Sequence, residues 1–528
     1  MKINRHTIFL QQFSVFSTLF YIFAIDRSYN DMKTSNILSI SVTILTFIVC
    51  TSYTPTYGNT SSPERTLSKL DRKADKMREA IRNSKTEIEL KLFHTIYYIS
   101  TDGNDLNDGL SPRTPIKSLD RLNSLDLKVG DCVLFRRGDI WRGRIATRDG
   151  VTYSAYGRGV KPQIYGSPCN AAKEGVWRET EVKNIYIYDT ELGDDIGTLV
   201  FNNGEACAFK VMMNRQKDGT TLHIETREPF ASYRDLKRDL EFYHDYRGAK
   251  RVYLYSADGN PSERFASIEL LVKGNIIQAE DNVHIDNLCI KYGGAHGIGS
   301  LTTKGLMVTN CEFGWIGGSI QGEDLFGRST PTRYGNAIEI YGGCENFVVD
   351  NCYIYQIYDA AITHQHQGDM EGVIAMKNVT YSNNLVEDCV YSIEYFLSRA
   401  GISEAHYMEN ILICNNLLRR SGFGWGEQRP DKNTPAHIKS WKHHYNRAKD
   451  FVVRDNIFDR GCCDLINITA NKAEWLPLLT NNTYIQYRGG SAGSIGDKGK
   501  AYTFDEKIGD VLRELFGESK ATIVFVEK

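Results

Sequence analysis

At 528 residues the chain is long enough for two or three ordinary domains, or for one solenoid with extensions. Its 63 basic and 65 acidic side chains leave a formal charge of −2, so no polyanion-binding field covers the surface and attraction to an acidic ligand must be local. No basic stretch is interleaved with aromatics, which excludes nucleic acid as an expected partner.

Two apolar stretches lie near the start. Ile8 to Ala24 is interrupted by Gln11, Gln12 and several hydroxyl residues, and the second follows Met32-Lys33 as Ile37 to Val49, ending in Cys50, Thr51 and Ser52. One basic residue, about a dozen apolar ones and then small polar ones is the layout of a secretory signal. Both stretches fall short of the roughly 20 residues of a membrane span. The expectation is a secreted, periplasmic or cell-surface bacterial protein translated from Met32, with residues 1–50 as a signal or hydrophobic segment and no stable span after processing. The alternative is a pair of membrane anchors. Cys50 stands where a lipoprotein cysteine would, which leaves a lipid anchor open, although Phe47-Ile48-Val49 lacks the small residues expected there.

After a Ser/Thr-rich linker (51–63), residues 64–93 read as one charged amphipathic helix, with Leu67, Leu70, Met77, Ile81 and Ile88 at roughly helical spacing. Solenoids must cover their open apolar ends, so this helix is expected as an N-terminal cap. Residues 94–500 read as one β domain rich in Gly and Asn, and 501–528 as a C-terminal cap with a short helix over Lys507 to Leu515. Cys289, Cys311, Cys352 and Cys389 sit in apolar strand-like segments, where free Cys packs as a small hydrophobe.

The middle of the chain repeats. Strand segments end in Ile285-Asp286-Asn287, Val308-Thr309-Asn310, Val349-Asp350-Asn351, Tyr381-Ser382-Asn383, Ile413-Cys414-Asn415 and Val453-Arg454-Asp455, each followed by a second strand centred on an Ile. Stacked parallel coils place equivalent residues about 4.8 Å apart, so an inward Ile recurs once per coil. A turn Asn tolerates left-handed dihedrals and can bond the Asn above and below. The pattern predicts an all-β fold, a right-handed parallel β-helix, rather than a sandwich or propeller.

Residues 97–143 add a resemblance. Tyr98-Ile99-Ser100-Thr101-Asp102-Gly103-Asn104-Asp105, Asn107-Asp108-Gly109, Thr114-Pro115-Ile116-Lys117-Ser118-Leu119, Val129-Gly130-Asp131 and Leu134-Phe135-Arg136-Arg137-Gly138-Asp139 resemble the opening coil of pectate-lyase-like β-helix proteins. The resemblance runs to about residue 470. It implies a polysaccharide-degrading enzyme (lyase, glycoside hydrolase or epimerase) of the kind found in secreted bacterial glycan-degradation systems, and does not choose the reaction.

Registering the coils on Ile298, Ile338, Ile362, Ile393, Ile438 and Ile466 predicts an outward column after each Ile: Gly299, Glu339, Thr363, Glu394, Lys439 and Asn467. The residue before each Ile gives a second expected outward column, Gly297, Ala337, Ala361, Ser392, His437 and Leu465. Tyr341, Gln365, Phe396 and Trp441 follow beside them. Glu339, Glu394, His437 and Lys439 are therefore the catalytic candidates, with Tyr341 and Trp441 as aromatic surfaces for sugar C–H faces. Two insertions (312–336 and 417–436) precede the second strand and are expected to wall a groove, offering Arg328, Arg333, Arg429 and Lys432 to substrate carboxylates or sulfates. Trp425 and Glu427 on the second insertion either grip sugar or pack the loop. His364 and His366 are weaker substrate or metal candidates, His364 falling in the inward column.

Two reactions are open. A lyase acting on an anionic uronate polysaccharide by β-elimination needs a base at C5, His437 or Lys439, and a cation for the carboxylate, Arg333 or Arg429. Glu394 then orients Lys439 or holds Ca²⁺ with Glu339. Several β-helix lyases pair a Lys base with an Arg, whereas this chain has Asn467 one coil on from Lys439. The other reaction is glycoside hydrolysis with Glu339 and Glu394, two coils or about 9.6 Å apart at Cα, as an inverting pair. β-Helix hydrolases favour Asp clusters, and only Asp359 and Asp464 lie near this face. A non-catalytic glycan-binding surface protein is the third reading. No cofactor other than Ca²⁺ is expected.

Overall fold

The computed structural model describes residues 56–57 and 63–527, apart from 217, 225, 323–330, 368–370, 400 and 430–434. The expected export segment, Cys50, Arg328 and Lys432 lie outside the described residues.

The chain is a right-handed parallel β-helix. Among the described residues its strands stack into two eleven-stranded sheets and one eight-stranded sheet, each pairing a coil with its neighbours in parallel. The eight-stranded sheet (the site sheet below) carries the predicted Ile column in unbroken register: Ile298 pairs with Ile338, then Ile362, Ile393, Ile438 and Ile466. Ile145 and Ile277 extend the column toward the N-terminus. All six predicted members are buried in the main core. Truncating one of them to Ala forfeits its buried methyls and leaves a cavity between two rungs, a cost of about 2–5 kcal/mol.

The turn residues behave as their chemistry dictates, with one shift. Asn287, Asn310, Asn351, Asn383, Asn415 and Asp455 have φ between 50° and 59°, the left-handed region that short polar side chains tolerate. The buried amide ladder, however, is made mainly by the residue that follows. Asn384 Nδ2 donates to Asn416 Oδ1 (3.0 Å), Asn416 to Asn456 (2.9 Å) and Asn456 to Asn482 (3.1 Å), and Asn482 donates to Glu518 Oε2 (2.8 Å). Each ladder amide also donates to a backbone carbonyl of the preceding coil, as Asn416 does to Tyr381. Buried polar groups are costly unless bonded, and here the stack meets the need along the axis.

The N-terminal helix is shorter than its apolar spacing suggested, Pro63–Arg82, and it covers the solenoid along its side. Leu70, Ala74 and Ile81 pack on Tyr353, Leu385 and Leu417, the outward column of one eleven-stranded sheet. Ser84 ends the helix, its hydroxyl donating to the Ile81 carbonyl at 2.9 Å. The ends of the solenoid are closed by other elements. The short helix Leu119–Asn123 lies on the edge strand Ile145–Ala146 and inserts Leu119 and Leu122, while Ile508–Phe516 inserts Ile508, Leu512 and Phe516. Among the described residues no helix is long and apolar enough to cross a membrane. Cys289, Cys311, Cys352 and Cys389 are buried free thiols.

The β domain expected over 94–500 also holds a large excursion. Coil strands Gln163–Tyr165 and Ile277–Gln278 stack directly on their neighbours, and the chain between them builds its own sheets and its own cores around Phe201, Phe242 and Leu254, and around Val211, Phe230 and Tyr253.

Candidate functional site

Three excursions leave the solenoid at one corner, where chain passes from the helix-covered sheet to the site sheet: the large one after Tyr165, a loop after Ile316 and a loop after Ser421. Glu312–Ile316 and Leu417–Ser421 are ordinary coil strands, so the two loops begin later than their sequences suggested. The three pack on one another. Arg333 Nη2 donates to the Gly197 carbonyl at 3.1 Å, Gln428 Nε2 to that of Ala208 at 3.0 Å, and the Ile320 amide to Asp195 Oδ2 at 2.6 Å. Their described residues form a wall beside the site sheet.

On that sheet Glu339, Thr363, Glu394, Lys439 and Asn467 occupy successive rungs, as the register predicted. The column before the Ile does not face outward. Ala337, Ala361 and Leu465 belong to the main core, and His437 is fully buried, its ring 6.2 Å from that of the core residue Phe458 and Nδ1 3.1 Å from Ser392 Oγ. The strands bend around the solenoid corner here, so two successive residues point inward and simple alternation fails. Burial lowers the His437 imidazole to about 4. The bend takes a different, still buried column out of the solenoid core. Ala360, Tyr391 and Ala436 are in register, and Ala360 and Tyr391 cluster with Trp441 outside the core.

Glu394 is at the centre of the face and 5% exposed. Its Oε1 accepts a hydrogen bond from Trp441 Nε1 at 2.7 Å. Burial, and then the nearby Asp359 carboxylate, raise its carboxyl to about 8, against the opposing pull of the Trp441 N–H, Arg429 and Lys439. Asp359, at the corner of the preceding coil, forms an ion pair with Arg429. Lys439, one rung on, holds its ammonium 4.2 Å above the Trp441 ring and 5.8 Å from that of Tyr391. Sequence reasoning placed Asp359 near this face without giving it a role, and it missed Tyr391 because strict alternation hides it.

Glu339 is in a different environment two rungs away. Its Oε2 lies 2.8 Å from His296 Nδ1 and 2.5 Å from Asn336 Nδ2. Burial works against its charge, but His296, Asn336 and Gln365 outweigh it and hold the carboxyl below the usual carboxylate range. His296 and Asn336 carry no sequence signal of their own, since each lies on an irregular approach to its strand.

Five other candidates are used elsewhere. Arg333 is buried, bonded to the Gly318 and Gly197 carbonyls and stacked 4.5 Å over Tyr358. Arg429 lies 5.7 Å from the same ring. Both arginines lie near the Tyr358 ring inside the wall rather than on a substrate surface. Trp425 is packed between Trp315 and Tyr358 and donates Nε1–H to the Gln356 carbonyl at 2.7 Å. His364 faces the interior, with Nδ1 2.7 Å from Tyr381 Oη and its ring stacked on Tyr395, and burial lowers it to about 3. His366 is likewise fully buried, beside His406 and Tyr341 and in register with the core residue Leu397. Glu427 is exposed on its loop, and Tyr341 is half-buried at the far margin of the face.

Ca²⁺ does not fit these donors. Glu394 keeps its proton at neutral pH, which leaves Glu339 as the one charged oxygen donor of the pair, and Thr363 stands between them in the column. Among the described residues no three His, Cys, Asp or Glu are grouped to hold a metal.

No protein-family model matches the chain, and no curated protein matches it. Several solved structures are similar at low identity. One is a GH136 lacto-N-biosidase from Eubacterium ramulus (12% identical, 88% of this chain and 72% of that chain, TM-score 0.35). Others are XylC in complex with xylose (12%, 78% and 73%, TM-score 0.40) and a family 28 exopolygalacturonase from Yersinia enterocolitica (12%, 77% and 69%, TM-score 0.35). Likenesses of this size carry no argument about reaction or substrate.

Proposed function

We propose that the protein is a glycoside hydrolase whose site lies on the outer face of the site sheet, with Glu394 as general acid and Glu339 as general base. One observation carries the reading. Two carboxyls share one column of the solenoid, and their surroundings push them apart, Glu394 up to about 8 and Glu339 below the usual range. Pairs of carboxyls whose environments separate their protonation in this way divide the work of acid and base.

Glu394 accepts the Trp441 N–H on Oε1, leaving Oε2 to carry the proton toward a glycosidic oxygen. Asp359 keeps that proton in place by like-charge repulsion, and Arg429 holds Asp359. Glu339 stays ionised and orients a water. Two rungs put the Cα atoms about 9.6 Å apart, and side chains converging from that spacing fit the roughly 6.5–9.5 Å of an inverting pair. Trp441, half-buried and backed by the buried Tyr391 ring, offers an aromatic surface to a sugar ring.

β-Elimination finds less support. It keeps Lys439 on the face but loses His437 to the core, and both arginines meant for a uronate carboxylate are engaged in the wall. For the same reason an anionic substrate has less behind it than a glycan in general. The test is turnover of a glycan panel in ¹⁸O-labelled water. Hydrolysis places the label at the new reducing end with inverted anomeric configuration, whereas unlabelled products with an unsaturated uronate overturn the reading.

A further inference from the structure

Cys462 and Cys463 are consecutive, and they lie in the turn between the coil strand Ile457–Gly461 and the site-sheet strand Ile466–Asn467. This is the corner from which the wall excursions leave. Their Sγ atoms are 3.6 Å apart. Cys462 is exposed and Cys463 half-buried, whereas most other described cysteines are buried. Cys462 is held against the preceding coil. The Cys462 amide donates to the Ser421 carbonyl at 2.9 Å, and its sulfur lies where a Cβ on Gly422 would fall, 2.3 Å from that position. Gly422 has φ +79° and opens the loop that carries Trp425 and Arg429.

We propose that Cys462 and Cys463 are a modification site: a vicinal dithiol that closes to a disulfide at the edge of the candidate site. The two thiols differ in a way that orders the chemistry. The Cys462 thiol lowers its neighbour by hydrogen bonding, and against burial and Asp464, with help from the Lys439 ammonium, Cys463 is held at about 7. Cys462 itself is raised, by Cys463 and by burial. Cys463 is therefore the attacking thiolate at neutral pH.

With a low-molecular-weight disulfide as oxidant, the Cys463 thiolate attacks one sulfur of the oxidant and expels the other as a thiolate. The Cys462 thiol then loses its proton to solvent and attacks the Cys463 sulfur, expelling the second thiolate. Two protein thiols are oxidised, the oxidant is reduced to two thiols, and the two protons released are taken up by them. Closure removes the anion beside Lys439 and so alters the charge on the neighbouring face. That last consequence rests on the glycan-site reading, whereas the dithiol itself does not.

The experiment uses the full chain, oxidised glutathione and mass mapping after alkylation under native conditions. In the wild type the peptide holding both cysteines should lose the mass of two hydrogens and resist alkylation until a reductant is added. Cys462→Ser should stop at a glutathione adduct on Cys463, and Cys463→Ser should react about tenfold more slowly. Phenylarsine oxide, which needs two adjacent thiols, should bind the reduced wild type once and neither serine variant at this pair. Two freely alkylated cysteines after oxidation, a stable adduct on the wild type, or no arsenical binding at the pair would each overturn the proposal. None of these readouts depends on turnover, so failure here leaves the hydrolase reading to its own test.

Discussion

Two outer faces of this solenoid bury charge, one under the N-terminal helix and one beside the loop wall. Under the helix, Glu387, Arg419 and Asp459 stand on successive rungs of one column. Arg419 bonds both carboxylates at 3.0 Å, Arg78 reaches Glu387 at 2.7 Å, and Arg460 reaches Asp459 at 2.7 Å. Nearby, Arg82 and Lys291 hold Glu312 at 2.9 and 3.0 Å. Burial opposes charge on Glu312 and Asp459, but their cations win and both carboxyls fall below the ordinary range. Beside the wall the balance is reversed. Glu394 has another carboxylate close by, and its proton is retained. Buried charge on a β-helix is therefore not itself a mark of chemistry. The mark is a carboxyl whose neighbours fail to cancel its burial.

That contrast can be broken by substitution. Glu394→Gln should lower kcat about 10³-fold, within the range of a lost general acid, while the thermal midpoint holds or rises, since the carboxyl is neutral where it stands. Initial rates and a melting curve on the same preparation decide this. Arg419→Met should do the reverse, costing about 3–5 kcal/mol by stranding Glu387 and Asp459 without their shared cation, with kcat unchanged in the folded fraction. Denaturant unfolding measures it.

The next effect is a shift in pH dependence. Turnover needs Glu394 protonated and Glu339 ionised, so it should fall as pH rises through about 8 and hold on the acid side to below the usual carboxylate range. Asp359→Asn removes the like charge and should move the alkaline limb to lower pH by about one unit. A limb that stays in place would detach Asp359 from Glu394. Stability carries the same signature. The Glu394 carboxyl binds its proton more tightly folded than unfolded, so its contribution is lost as pH rises from about 4.5 toward 8. His364 and His437 are lowered to about 3 and about 4, so their contribution is lost as pH falls below about 6.5. The smallest effect is expected at His437 itself, where Asn should cost stability but leave kcat within about threefold in the folded protein.

Much of the fold was legible because two features recur once per coil. The Ile column and the left-handed Asn report a period that only stacked coils impose, and the register of Glu339, Glu394 and Lys439 followed from it. The corner was not legible. Alternation assumes a straight strand, and the bend before Ile438 turns His437 inward and Tyr391 outward without changing residue types. The arginines misled for a related reason, since Arg333 and Arg429 lie on loops that looked exposed but are covered by the excursion after Tyr165, whose own strands resemble those of the coils. The protonation of Glu394 was out of reach, because it depends first on burial and then on the Asp359 carboxylate, and neither the depth of burial nor that approach has a sequence signal.

The division of acid and base between the two carboxyls stands or falls on the protonation state of Glu394 near neutrality. Infrared difference spectra between the wild type and Glu394→Gln, recorded across pH, isolate the C=O stretch of a protonated carboxyl. The band should be present at neutral pH, be missing in the variant and disappear with a midpoint near 8. A band already absent at neutral pH, with its midpoint in the ordinary carboxylate range, would contradict that division.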